Sequence, residues 1–338
     1  MHHPIEHWLA QTLAVGGSDL HLSAGVAPMA RVLGQLKNLG AQAVDSTHLQ
    51  DQLQTLLPDW PTAQDHDSAV AIAGLGRFRV NVFAQSRGWS SVWRCIPERI
   101  PSLQELHAPT CLPAWLKQAQ GLLLVTGATG SGKSTTLAAM LAHLNHTQPL
   151  HILTLEDPIE FVHHSQRSLV QQRSVPGHSA HFAQALRAAL RQDPDVILVG
   201  ELRDLETIQL ALRAAETGHL VLATLHTRSA TQAIERLVDI FPGETKALVR
   251  LQLSQSLLAV VHQVLCLSTD GQRRMAAHEV LYATPAVRNL IRENKTAQLP
   301  NALQTGAQHG MHTLAQSLAQ QVAQGLITAD EARRHADG

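Results

Sequence analysis

Two hydrophobic patterns divide the chain. Downstream of residue 114, short runs that are apolar throughout alternate with stretches of helical period. Leu122–Val125, His151–Leu155, Val196–Val199 and Leu220–Leu225 read as buried strands. Leu137, Met140, Leu141 and Leu144, then Phe182, Leu186, Ala189 and Leu190, recur as one face of a helix. Ser179 is placed to cap the second of these helices, Asp193-Pro194-Asp195 to stop it, and another helix runs to about Thr217. This alternation predicts a parallel sheet covered by helices on both faces. Beyond Ser229 the pattern turns helical and strand-poor. A long helical stretch is expected within Glu244–Cys266, then a hairpin through Thr269-Asp270-Gly271 whose second strand is Met275–Tyr282. Short helices follow over Pro285–Glu293, His312–Gln324 and Ala329–Arg334.

Upstream the pattern is period two. A helix over Ile5–Leu13 leads to a strand at Asp19–Leu22, a hairpin over Met29–Leu39 broken at Gly34, and an amphipathic helix over His48–Leu57. Two alternating strands follow, Leu75–Gln85 and Trp89–Ile96. Phe78, Val80 and Val82 share one face, Arg77, Arg79 and Asn81 the other, and Arg94 lies on the next strand. Pro97, Pro101, Pro109 and Pro113 then break regular structure. The expected organisation is a small α+β domain over 1–96, a linker over 97–114, and an α/β domain over 115–338 ending in helices from about 285.

Composition adds limits. The 338 residues are 44% hydrophobic but only 3% aromatic, so the cores must be built from aliphatic side chains. A net charge of −1 gives no support to a nucleic-acid or anionic-membrane partner. Cys95, Cys111 and Cys266 form no CxxC pair, which argues against a four-cysteine zinc site and for a reducing compartment. The N-terminus does not read as a signal peptide and no apolar run is long enough to span a bilayer, so the chain is expected to be cytosolic. The pair His163-His164 has no carboxylate at helical spacing to complete a metal site.

The chemistry centres on Gly127-Ala128-Thr129-Gly130-Ser131-Gly132-Lys133-Ser134, set between a strand and a helix. Such a glycine loop curls backbone N–H groups round phosphates at a helix N-terminus. Lys133 would reach the β- and γ-phosphates, and the Ser134 hydroxyl would hold Mg²⁺. Three other strands end in reactive residues, where open α/β sheets gather their sites. Gly200-Glu201 follows Val196–Val199. With no Asp at that strand end, Glu201 carries the acidic role, which favours preparing water over direct metal ligation. Glu156, Asp157 and Glu160 end another strand. They read either as caps or as groups that hold metal-bound water. His219 and His226 flank a third strand, and read as buried structural histidines or, for the second, as a γ-phosphate sensor. The arginine face reads as a solvated surface or as a phosphate-binding fork.

These blocks together resemble the secretion and type IV pilus motor ATPases, and within them the retraction branch. Gly127–Thr136, including Thr135, is similar to that family's Walker A region. Leu153–Phe161 looks like its Asp box, Asp193–Asp204 its atypical Walker B with Glu201 as catalytic glutamate, and Ala215–Thr227 its His box. Ser18–Leu22 and Gly74–Asn81 are similar to its PAS-like N-terminal domain, and Pro285–Glu293 to a C-terminal motif of retraction ATPases. The resemblance implies an α/β fold with a RecA-like P-loop ATPase core, a PAS-like N-terminal domain and a helical C-terminal tail. It further implies hydrolysis of ATP with Mg²⁺ in a homohexamer at the cytoplasmic face of the inner membrane, docked on a pilus platform protein. Glu201, Glu156, Glu160, His219 and His226 would form the catalytic set, with Mg²⁺ at Ser134 and water-mediated contact to Glu156 or Glu201. Arg77, Arg79 and Arg94 would contact phosphate. Ala128, Leu202 and Val287 depart from common family residues, and residues 65–73 are less acidic than the family pattern. The alternatives are an assembly or type II secretion ATPase, against which the missing cysteine quartet argues, an accessory retraction paralogue, a RecA-like nucleic-acid motor, and a nucleotide-binding regulator without turnover.

Overall fold

Alternating residues need one wet face and one covered face, and residues 4–96 supply both. The structure, a computed structural model, describes residues 4–57, 65–97, 99–175, 178–179 and 181–336. It separates into two compact units, Met1–Arg99 and Ile100–Gly338. The first contains α1 (Pro4–Ala14), β1 (Asp19–Ser23), β2 (Met29–Val32), β3 (Gln35–Asn38), α2 (Ser46–Leu56), β4 (Asp65–Ile72), β5 (Gly76–Gln85) and β6 (Gly88–Ile96). Its sheet runs β3-β2-β1-β6-β5-β4, with antiparallel neighbours throughout. Phe78, Val80, Val82 and Trp93 are fully buried against Ile5 and Leu9 of α1 and Leu49 and Leu53 of α2. The expected hairpin is β2–β3. Strand β4 was not legible from its polar start, Asp65-His66-Asp67-Ser68. It is an edge strand whose charged, exposed positions also discourage pairing with another chain.

The second unit contains α3 (Leu112–Trp115), β7 (Gly121–Thr126), α4 (Lys133–Thr147), β8 (His151–Glu156), β9 (Leu169–Ser174), α5 (Phe182–Ala189), β10 (Val196–Val199), α6 (Leu205–Glu216) and β11 (Leu220–Leu225). It continues with α7 (Ala230–Asp239), α8 (Lys246–Ser256), β12 (Leu257–Leu267), β13 (Arg274–Tyr282), α9 (Pro285–Arg292), α10 (Leu299–Thr305), α11 (Leu314–Ala323) and α12 (Ala329–Ala336). The sheet order is β13-β12-β7-β11-β10-β8-β9; only β13 is antiparallel to its neighbour. Successive residues of β7 feed two different cores: Leu122 and Leu124 one, Leu123 and Val125 the other. Burial on both faces explains why Leu122–Val125 of β7 and Val196–Val199 of β10 are apolar at every position. Leu112, Trp115 and Leu116, in and beside the proline-rich stretch, are buried in the second of those cores.

Three local expectations are corrected. The helix expected within Glu244–Cys266 ends at Ser256, and Leu257 turns extended at the head of β12. A run apolar but for one His-Gln pair carries no period, so it cannot show that β7 is waiting to pair with it. Helix α5 starts only at Phe182, behind His181, so Ser179 does not cap it. The acids round Pro158 start no helix; the chain from 157 to 168 is irregular. At the C-terminus α9 and α10 place Val287, Ile291, Leu299 and Leu303 in the larger core. Leu318 of α11, with Ile327, covers Cys266, Met275 and Ala277 of the β12–β13 hairpin. No helix among the described residues is long and apolar enough to cross a membrane.

Candidate functional site

Parallel register lines up the strand ends. Thr126 pairs with Leu225, and Val199 sits between Ala223 and Leu155. The residues that follow, Gly127, His226, Glu201 and Glu156, therefore meet at one end of the sheet. His219 precedes Leu220, the partner of Gly121, and so lies at the other end. Its Nδ1 sits 3.1 Å from Ala214 O, and six strand residues, roughly 20 Å at about 3.3 Å each, separate it from the loop. His219 therefore stands away from the glycine loop of its own chain, against the catalytic role expected of it, and reads there as a structural histidine.

The loop itself demands its glycines. Gly127 has φ +145°, and a Cβ there would lie 2.4 Å from Gln263 O and 2.5 Å from Ser131 Oγ. Gly130 and Gly132 take φ +80° and +87°, the left-handed region that glycine alone enters freely. Gly132 caps α4 without a side-chain bond, leaving the helix's first N–H groups uncapped by any side chain. Thr129 and Ser134 are exposed at the loop and the first turn, and Thr135 is half-buried. The Ser131 hydroxyl is buried with no partner.

Lys133 is only 8% exposed. Its ammonium donates to Gly127 O at 2.8 Å and Ala128 O at 2.9 Å. Burial lowers its pKa, while Glu201 and Glu160 pull it back up. His226 Nδ1 lies 3.5 Å from Lys133 Nζ, and its Nε2 lies 3.5 Å from Glu201 Oε2. An ammonium can only donate, so Nδ1 accepts and the ring proton belongs on Nε2, facing the carboxylate. Glu201 also accepts from Arg203 Nε at 2.8 Å, and Arg203 reaches Asp157 at 3.8 Å. One polar chain thus runs Lys133–His226–Glu201–Arg203–Asp157.

Glu156 is held apart from that chain. It accepts from Thr154 Oγ1 at 2.6 Å and Gln172 Nε2 at 3.1 Å, and burial raises its pKa against those bonds and the Glu160 N–H. Gly200 explains the missing strand-end Asp: a Cβ there would press on Leu155 O at 3.2 Å and Glu156 Cα at 3.4 Å. Several residues of the site went unseen in the sequence. Gln263 binds Ser131 O and Thr136, His262 Nδ1 sits 3.2 Å from Thr126 Oγ1, and Gln172 and Arg203 hold the two glutamates. The signal for the first two was a His-Gln pair inside an apolar run, masked by its assignment to a helix.

The three arginines belong to the first unit. Arg79 and Arg94 stand directly opposite in register, a like-charge pair that would repel. Arg94 Nε donates to Asp19 Oδ1 at 2.9 Å, and Arg79 lies 3.7 Å from Asp67. Arg77 has one buried guanidinium nitrogen with no hydrogen-bond partner. Among the described residues, Cys266, Glu331 and His335 bring metal-ligand atoms within 4.8 Å of one another. The Glu331 carboxylate is already taken by the Leu267 N–H, Arg334 and His335. His163 lies outside any such group.

Known proteins resemble this chain. The type IV pilus retraction ATPase PilT of Pseudomonas aeruginosa is 49% identical over 98% of this chain and 98% of its own length. A twitching motility protein of Neisseria gonorrhoeae is 50% identical over 91% of this chain and 84% of its own. A crystal structure of the pilus retraction motor PilT with bound ADP superposes with a TM-score of 0.87 at 41% identity, covering 98% of this chain and 96% of that one. The model of the type II/IV secretion system protein family matches residues 77–334, from the arginine strand to the last helix. With phosphate loop, acidic strand ends and hairpin all inside that match, the chain belongs to the type II/IV secretion system protein family.

Proposed function

We propose that this protein is a motor ATPase that hydrolyses ATP to retract type IV pili. It works as a homohexamer on the cytoplasmic side of the inner membrane, against the platform protein of the pilus base. The observation that carries this reading is the Lys133–His226–Glu201 chain at the mouth of the glycine loop, in a chain similar to PilT over almost its whole length.

The residues suit Mg²⁺–ATP: a loop with no room for a side chain at Gly127, an exposed Ser134 at the first helical turn, and a buried hydroxyl on Ser131 still lacking a partner. Mg²⁺ bound there would neutralise charge on the β- and γ-phosphate oxygens. Lys133 exchanges its two carbonyl partners for phosphate oxygens, and its cost of burial falls as it does so. Glu201 orients and deprotonates the attacking water, while Arg203 holds the carboxylate in place. Glu156 and Glu160 order water round Ser134. His226 touches both Lys133 and Glu201, so a change at the γ-phosphate reaches the glutamate through its ring. Arg77, Arg79 and Arg94 offer planar donors to nucleotide phosphates in the assembled ring. Charge stabilisation at the transferring phosphoryl group does most of such catalysis.

Glu201→Gln keeps the size of the side chain and removes its basicity. Turnover is expected to fall at least about 10³-fold while ADP affinity stays within about threefold; full ATPase activity would remove this residue from the mechanism. Deletion of the gene, scored for surface pili and twitching, tests the biological reading. Excess pili without twitching supports retraction, and loss of all pili assigns the motor to assembly.

A further inference from the structure

Strand β12 lies beside β7 and is apolar but for His262 and Gln263. Gln263 is 1% exposed. Its Nε2 donates to Ser131 O at 2.6 Å, and its Oε1 accepts from Thr136 Oγ1 at 2.9 Å. A carbonyl oxygen only accepts, so the amide nitrogen must face Ser131 and the amide oxygen Thr136. One side chain thereby ties the middle of the phosphate loop to the first turn of α4. The same residue limits the loop at both ends. A Cβ on Gly127 would strike Gln263 O, and one on Gly132 would lie 3.1 Å from Gln263 Nε2.

The direction of the first bond matters. The Ser131–Gly132 peptide is planar, so its C=O and N–H point to opposite sides. Fastening Ser131 O against β12 turns the Gly132 N–H the other way, away from the strand. A buried amide is an expensive choice for a strand that an apolar residue would serve, because both its polar ends must be satisfied. Here both are satisfied by the phosphate loop and α4, not by the rest of the hairpin.

We propose that Gln263 is a positioning residue that holds the phosphate loop in its binding shape before nucleotide arrives, and so sets nucleotide affinity. The proposal rests on the reading of residues 127–134 as a nucleotide site. Pre-organisation of this kind lowers the cost of binding and leaves the chemical step alone.

The test is titration of the purified full chain with fluorescent ADP, with steady-state ATPase assays and thermal melts without nucleotide. Gln263→Met keeps the volume and loses both bonds. Its Kd for ADP is expected to weaken at least about tenfold and KM for ATP to rise in step. The expected change in kcat at saturation is below about threefold, with a melting temperature within a few degrees of wild type. A Gln263→Met protein that folds and binds ADP within twofold of wild type overturns the proposal. Should that variant not fold, Thr136→Val decides. It frees one end of the amide, and a three- to fivefold weakening supports the role while unchanged affinity overturns it. Wild-type protein that binds no ADP would instead defeat the nucleotide-site reading itself.

Discussion

Lys133 and Arg94 are both cations held by the fold, and they are held in opposite ways. Arg94 faces a buried carboxylate, Asp19, whose side chain is 7% exposed, so each neutralises the other. Lys133 is buried against two carbonyl oxygens and the His226 ring, with Glu201 and Glu160 close enough only to moderate its lowered pKa. A cation matched by a carboxylate already stabilises the folded state before any ligand arrives. One desolvated without direct carboxylate contact serves a ligand still to come, and natural proteins accept the lost stability.

The sharpest way to break this contrast is Lys133→Met. Turnover is expected to fall by about 10³-fold or more. The stability of the nucleotide-free protein should change by less than about 1 kcal/mol, because the lost donor offsets the relieved burial. A large loss of stability in urea melts would show Lys133 to be a structural cation.

A second effect comes from acid. His163, His262 and His278 in the second unit are driven down by burial, to about 4, about 4 and about 3. The unfolded chain takes up these protons near pH 6.5, whereas the folded chain does so only near pH 4 or below. Between those values the unfolded state binds more protons, so stability falls as pH drops, by up to about 1.4 kcal/mol per unit for each histidine. In the first unit, the half-buried His21 moves the same way. Calorimetry at pH 7 and 5 should show the second unit's transition moving further; equal movement would count against it.

The smallest effects lie on the arginine face and divide it. Arg94→Met strands the Asp19 carboxylate with Ser18 as its remaining side-chain hydrogen-bond partner among the described residues, at a cost of about 1–3 kcal/mol. Arg79→Met breaks a 3.7 Å contact to an Asp67 that is 59% exposed, worth below about 0.5 kcal/mol. Equal losses in denaturant melts would erase the distinction. If Arg79→Met alone lowers nucleotide affinity, Arg79 is the freer phosphate donor of the two.

Legibility followed locality. The phosphate loop was readable because its glycines answer to constraints a few residues away, and Phe78, Val80 and Val82 because period two needs only one buried face. Strand β4 was missed because an edge strand tolerates polar residues. β12 was mistaken for helix because a run buried on both faces carries no period. Gln263 vanished with it, since its partners Ser131 and Thr136 lie more than a hundred positions upstream.

Chain chemistry alone pointed to Gly127–Ser134 as a candidate phosphate loop and to Glu201 as the acid beside it, and predicted that the strands between are parallel. Short-range sterics and hydrophobic period are written into neighbouring residues and need no fold to be read. Tertiary structure alone decided which strand ends meet. Parallel register brought His226 between Lys133 and Glu201, sent His219 to the far end, and set Gln263 under the loop. Register is a long-range pairing, settled by burial across the whole sheet, and no local stretch of sequence records it.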